Sequence, residues 1–384
     1  MKVEQILKLL PQKELEFLAV ETSVEHQVKK LKGVIVFKLI FFSMLNTTKL
    51  SLRVMESFFL SAQFKNFAGT KDVNTKYNSI RDRISTINSE YFEKVFDLIY
   101  TKYNKKLQEQ TAITRVDSTF INISAKLVQW GMKNGSTNSG LKYLKLSVSL
   151  KGSLPCSIQI YDHQNFVNEN IALPDAILKN KYLNESVVVF DRGLQTRKVF
   201  DEFTNKDILF IGRIKTDVSY QFVKKIKSPK SFASDTVELI EDIEVYLYNE
   251  GHKLTTNTFR ITKLRMKASN ESLYLVSNNW DLTSVEIAAM YKQRWDIEVF
   301  FKFLKQHLNF KHFVSRNENG IKVMVYMTLI LAILIIVYKK TNNINGFKIA
   351  KLKFEMELDN LIIKEIVKLC GGNPNKAKHL WNTG

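Results

Sequence analysis

Asp117 in RVDSTF, Asp191 in VVVFDRG and Glu298 in YKQRWDIEVFFKFLKQHLNF are the acids of this chain whose settings suggest chemistry. Asp117 lies in a strand-like pattern, Asp191 follows four apolar residues, and Glu298 sits on a helix crowded with aromatic side chains. A carboxylate at the end of a buried run is costly unless a cation meets it. Each acid alone reads as a surface or cap residue, and for Asp191 an ion pair with Arg192 is the structural alternative. Taken together, three carboxylates converging from two strands and a helix make a hard-oxygen site suited to two Mg2+ ions, with Mn2+ able to substitute. Two ions about 3.5–4 Å apart activate the attacking oxygen and stabilise the leaving oxygen of an in-line phosphoryl displacement.

The helix from Tyr291 to Phe310 carries more than its acid. At about 100° per residue, Tyr291, Arg294, Glu298 and Lys305 fall within a sector of about 60°. Trp295, Ile297, Val299, Phe300, Phe301, Phe303, Leu304 and Leu308 fill much of the remaining circumference, so the helix is expected to be enclosed on several sides. Trp280 and Trp295 read as core residues, with stacking on a displaced base as the alternative. His307 and His312 form no ligand pattern and read as phosphate neighbours or solvated side chains.

Strands must position the two aspartates. From residue 111 the texture changes to strands (TAITRVDSTF, YLKLSVSLKG, PCSIQIYD), with GMKNGSTNSG as a loop between the first two. Leu144, Leu146, Val148 and Leu150 alternate with Lys145, Ser147 and Ser149, the period of a half-buried antiparallel strand. After a short helix (IALPDAILKN), SVVVFDRG reads as a central strand with Asp191 at its tip, where open α/β sheets place ligands. A helix (QTRKVFDEFTNKD) and a strand (ILFIGRIK) follow, then a charged β-rich insertion over about 216–270, then SLYLVSNNW and SVEIAAM leading into the Tyr291 stretch.

Residues 1–108 read as an all-helical domain. Within it TKYNSIRDRISTINSEYFEKVFDLIY places Lys76, Arg81 and Arg83 near the start of a helix, a pattern that suits a helix-turn-helix element with Arg81 and Arg83 over DNA. Residues 109–341 are the expected catalytic domain, interrupted by the insertion, and 342–384 a C-terminal helical tail. The 384 residues are 45% hydrophobic, which excludes disorder, and a net charge of +19 calls for a polyanionic partner: DNA, RNA or an anionic membrane. Cys156 and Cys370 suggest neither a disulfide framework nor zinc, and a reducing cytosol is the simplest home. The sixteen uncharged residues VMVYMTLILAILIIVY are short for a span and read as a buried helix.

The set VDST, VFDRG and Tyr-x2-Arg-x3-Glu-x6-Lys resembles the signature of bacterial insertion-sequence transposases with an Asp-Asp-Glu triad, in the group named insertion sequence four. The resemblance implies an α/β fold: an RNase H-like mixed sheet flanked by helices, with an inserted β-rich subdomain and an all-helical N-terminal domain. It implies Asp117, Asp191 and Glu298 as metal ligands, and Tyr291, Arg294 and Lys305 as contacts to DNA phosphates. Arg192 and Gly193 match the family after the second Asp, and GMKNGSTNSGLKYLK resembles its loop before the next strand. Water attack followed by 3′-hydroxyl attack would free and rejoin the element, without a covalent protein intermediate. The implied partners are double-stranded DNA with terminal inverted repeats, target DNA and a second copy in a homodimeric synaptic complex. The implied place is the bacterial cytoplasm, at the nucleoid and off the membrane. A catalytically silent DNA-binding regulator and an RNase H-like structure-specific nuclease are the alternatives.

Overall fold

The computed structural model describes residues 1–377 apart from 48, 71–72, 110–111, 124–129, 134–141, 228–233, 309 and 311–312. Contacts divide the chain into two compact units, one of residues 1–109, 122–130 and 301–384, the other of residues 110–121 and 131–300.

The second unit is built on a mixed sheet. Its strands are β1 (Ile113–Ile123), β2 (Lys142–Lys151), β3 (Leu154–Tyr161), β4 (Val187–Phe190), β5 (Phe210–Ile214), β6 (Tyr220–Lys225), β7 (Val237–Leu247), β8 (Phe259–Met266) and β9 (Ser272–Ser277), in the order β3-β2-β1-β4-β5-β9-β8-β7-β6. β4 runs parallel to both β1 and β5, whereas β2–β3 and the β5-β9-β8-β7-β6 succession are antiparallel. The first five strands hold the parallel β1-β4-β5 part of the sheet and the β2–β3 hairpin. The inserted strands β6, β7 and β8 extend the sheet, because β9 pairs with β5 along one edge and β8 along the other.

The all-apolar run Val187–Phe190 is wholly buried, as a strand covered on both faces must be. Val188 and Phe190 point into a cluster with Leu173 and Ile177 of α8 (Glu169–Leu178) and Phe200 and Phe203 of α9 (Arg197–Asn205). Val187 and Val189 point the other way, toward Ile287 and Tyr291 of α10 (Ser284–Lys292). β2 departs from its half-buried pattern, since Lys145, Ser147 and Ser149 are 0–2% exposed. Their face lies under α8, where the Lys145 ammonium and the Ser147 hydroxyl are hydrogen-bonded inside the protein. Gly212 of β5 allows the Phe190 ring to lie against its backbone, where an added Cβ would come within 2.3 Å of a ring carbon.

α10 begins with a capping box in which Thr283 Oγ1 accepts from Glu286 N and Glu286 Oε2 accepts from Thr283 N at 2.7 Å. Next to it a buried Asp242–Arg260 pair, 2.6 Å apart, takes a further bond from Ser284 Oγ at 2.7 Å. That pair ties β7 and β8 to the start of α10.

The helical unit contains α1 (Val3–Lys8), α2 (Gln12–Glu21), α3 (Gly33–Asn46), α4 (Leu52–Leu60), α5 (Ala62–Ala68), α6 (Tyr77–Thr86) and α7 (Ser89–Leu107). The expected single basic helix is two, α6 and α7, broken at Ile87 and restarted by Asn88, whose Oδ1 accepts from Glu90 N at 3.0 Å. α11 (Trp295–His307) runs from one unit into the other. α12 (Glu318–Thr341) packs on α3, α6, α7 and α13 (Phe347–Leu369). Its length and hydropathy would suit a membrane, yet its apolar window is 94% buried. Burial on every side requires several apolar helices around it, and α12 lies in the helical unit.

Candidate functional site

The parallel register of β1 and β4 sets Arg115 opposite Val189. Two residues further on, Asp117 comes level with Asp191, on strands about 4.8 Å apart. Both acids therefore stand at the C-terminal end of the β1–β4 pairing, one inside β1 and one just past β4. Tyr291 of α10 reaches Asp191, and its hydroxyl donates to Asp191 Oδ1 at 3.1 Å. Among the described residues Asp191 forms no ion pair with Arg192, which is exposed.

Burial raises the Asp117 carboxyl to about 6, and the charges of Glu169 and Asp191 add to the effect. The Ser118 N–H, which donates to Asp117 Oδ1 at 2.8 Å, and the charge of Arg294 act in the opposite direction. Burial and the neighbouring Asp191 push the Tyr291 phenol up as well. Burial disfavours the charged Arg294 guanidinium, but its bond to Glu298 and the charge of Asp191 keep its pKa raised.

The stretch from Tyr291 to Phe310 is not one helix. α10 ends at Lys292, Gln293 and Arg294 form a turn, and α11 starts at Trp295 and ends at His307. Tyr291, Arg294 and Glu298 still meet, since the Arg294 guanidinium lies 5.9 Å from the Tyr291 ring centre and its Nη2 is 2.7 Å from Glu298 Oε1. Lys305 is in the helical unit, its ammonium 5.9 Å from the Phe301 ring centre. α11 is not enclosed either: Trp295 is 60% exposed and Val299 41%, while Ile297, Phe300 and Leu304 are buried. Trp280, also expected in the core, is 45% exposed. One amphipathic face is enough to dock the helix, and the aromatic content did not say which residues would lie on it.

Two carboxylates held side by side in a half-buried edge, each unfavourable to the other's charge, fit a hard divalent cation. Glu298 is occupied by Arg294, and among the described residues no three Asp, Glu, His or Cys side chains are gathered closely enough to enclose an ion.

Glu169 was not foreseen. As the first residue of α8 its Oε2 accepts from Ser118 Oγ at 3.2 Å and its Oε1 pairs with the wholly buried Lys145 at 3.1 Å. A Cβ on Gly193, two residues after Asp191, would touch the Glu169 side chain at 3.1 Å. An acid in the first turn of a helix is ordinary, so the sequence held no signal for it. Arg115, also unforeseen, is 4% exposed on β1 two residues before Asp117.

In the helical unit, Arg81 is exposed and paired with Asp82 at 2.8 Å. Arg83 does not face outward as expected: its guanidinium is half-buried and donates to the carbonyls of Leu31, at 2.9 Å, and Val24, at 2.5 Å, which the surrounding helices leave without a backbone donor of their own. Burial, with Lys348 and Lys351, pushes His307 down. His312 and residues 134–141 of the GMKNGSTNSGLKYLK loop lie outside the described residues.

The family described as Transposase DDE domain matches residues 109–334. A Sinorhizobium fredii protein named as a transposase is 25% identical over 66% of this chain and 68% of its own length. A Geobacillus stearothermophilus protein named as the transposase of an insertion sequence element is 26% identical over 74% of this chain and 76% of its own. A solved piggyBac transposase synaptic complex with hairpin DNA aligns with a TM-score of 0.48 and 10% identity, over 95% of this chain and 82% of that one.

Proposed function

We propose a division of labour among the site residues of a chain that belongs to the transposases with a DDE domain, as the match over more than half its length establishes. The protein is a DNA transposase, an enzyme that cuts and transfers DNA. The finer reading is that Asp117 and Asp191 hold Mg2+, two ions in the working state with Mn2+ able to substitute, and that Glu298 joins them. The observation that carries it is the β1–β4 register, which carried two residues past Arg115 and Val189 brings Asp117 level with Asp191, with burial and the charges of Glu169 and Asp191 raising Asp117 to about 6.

A divalent cation bound there supplies activation of the attacking oxygen and neutralisation of the leaving oxygen. Tyr291 holds the Asp191 carboxylate by its hydroxyl. Arg294 covers Glu298 in the absence of DNA; a phosphate that takes up the guanidinium leaves Glu298 free to turn toward the aspartates. Arg192 and Arg81, both exposed, and Lys305 bind further phosphates, whereas Arg83 braces the helical unit. Trp295, exposed at the start of α11, is placed to stack on an unpaired base rather than fill a core. The DNA partners are the terminal inverted repeats and the target, bound by a homodimer.

The test is incubation of the purified protein with DNA carrying the flanking inverted repeats, with and without Mg2+ or Mn2+. Cleaved and joined products that require metal and vanish in Asp191→Ala are expected, with end binding by that variant close to the parent's. Binding without cleavage would mean a regulator, and cleavage without joining a nuclease.

A further inference from the structure

The joint between α10 and α11 decides where Tyr291, Arg294 and Glu298 point. Through it the amide of Arg294 bonds to Tyr291 O at 3.0 Å, that of Asp296 to Gln293 O at 3.1 Å and that of Ile297 to Arg294 O at 3.2 Å. Each bond spans three residues, so the helix tightens into a turn. In a continuous α-helix the Gln293 carbonyl would accept the amide of Ile297. Here it accepts Arg115 Nε, at 2.7 Å. The same guanidinium donates to Gln293 Oε1 at 2.9 Å and to Gly152 O, in the β2–β3 turn, at 2.8 Å, and it pairs with Asp296 at 3.1 Å.

We propose that Arg115 is a positioning residue, which by donating from β1 to the Gln293 carbonyl holds the turn that sets Tyr291 against Asp191 and brings Arg294, with Glu298 paired to it, beside the aspartates. Its carboxylate partner, Asp296, is 63% exposed, so pairing compensates the buried charge weakly. Such a residue adds less stability than an apolar one of similar volume; what it adds is a fixed geometry. Lysine is no substitute, because one ammonium cannot present the planar fork of donors that reaches two elements in fixed directions. β1 thus carries Asp117 and, two residues earlier on the same face, the side chain that orients the helix opposite.

The catalytic consequence rests on the metal-centre reading above, but the structural one does not, so hydrogen exchange and single-turnover cleavage are measured together on the full chain. In Arg115→Lys, exchange at the amides of Arg294–Glu298 is expected to rise about tenfold while β1 and β4 stay protected. Cleavage of saturating end DNA is expected to fall about a hundredfold, the scale of a small misplacement of reacting groups, with end-DNA Kd within about threefold of the parent. Asp296→Asn, which leaves the bonds to Gln293 and Gly152, is expected to change the rate less than about threefold. If Arg115→Lys does not fold, Gln293→Ala, which removes one acceptor and leaves β1 intact, is expected to show the same local rise in exchange at smaller size. Unchanged exchange at the turn would overturn the proposal. So would a uniform loss of protection across the sheet with binding and rate falling together. A parent whose cleavage survives Asp191→Ala would instead sink the metal-centre reading and leave the exchange result standing.

Discussion

Asp117→Asn should make the metal-free protein more stable while it abolishes cleavage. Burial, with Glu169 and Asp191 nearby, holds this carboxyl at about 6 where an unfolded chain would have 3.8. Between those values the folded state binds more protons than the unfolded one, so stability falls as pH rises from about 4 to about 6 and stays lowered above that. Roughly two pH units at about 1.4 kcal/mol each give about 3 kcal/mol, which partial solvent access reduces to about 2 kcal/mol. Asparagine removes the charge and keeps a carbonyl oxygen for the Ser118 N–H, now donating to Asp117 Oδ1 at 2.8 Å. In chelator at pH 7.5 the variant should therefore melt about 2–3 °C above the parent, and at pH 4 the two should nearly coincide. Thermal unfolding followed by circular dichroism measures both. Added Mn2+ should raise the Tm of the parent and leave the variant where it was. A variant less stable than the parent at pH 7.5, or a gap of the same size at pH 4, would show that Asp117 carries no buried, uncompensated charge.

Arg294→Gln should strengthen Mn2+ binding several-fold in the absence of DNA, as calorimetry would show, because the 2.7 Å bond that occupies Glu298 is gone; unchanged affinity would argue that Glu298 does not reach the metal. Arg83→Ala should cost about 1–3 kcal/mol of stability, since two carbonyls lose a charged donor, while the salt dependence of end-DNA binding stays at the parent's slope. Lys305→Ala should lower the slope of log K against log salt by about one, the signature of one lost phosphate contact. Trp295→Ala, at a side chain 60% exposed, should change stability by less than about 0.5 kcal/mol. The same variant should weaken binding to end DNA with an unpaired base by about 1–3 kcal/mol, seen by fluorescence anisotropy.

Some of this protein is decided locally, and local order is what a sequence displays. Four apolar residues before Asp191 are enough to make a buried strand with a carboxylate at its tip, because chain direction and alternation belong to the strand itself. Thr283 and Glu286 mark the start of α10 through bonds three residues apart. Tyr291, Arg294 and Glu298 are close in the chain, so their meeting survives even the turn at Gln293. Other features depend on partners far away in the chain, which no periodicity reports. Arg115 finds Gln293 across 178 residues, and Glu169 finds Ser118 across 51. The same distance effect sets Arg83 on the Leu31 carbonyl, 52 residues away in the chain. It buries Lys145 on a face whose alternation looked solvated, because α8 covers that face. The continuous sheet from β5 through β9 to β6 was likewise invisible in the strands taken one by one, since an edge is completed only by whichever strand packs against it. The sequence by itself determined the strands that carry Asp117 and Asp191 and the closeness along the chain of Tyr291, Arg294 and Glu298. Only the tertiary structure decided how those elements are braced, because burial and hydrogen bonding are settled by neighbours in space and side-chain spacing only by neighbours along the chain.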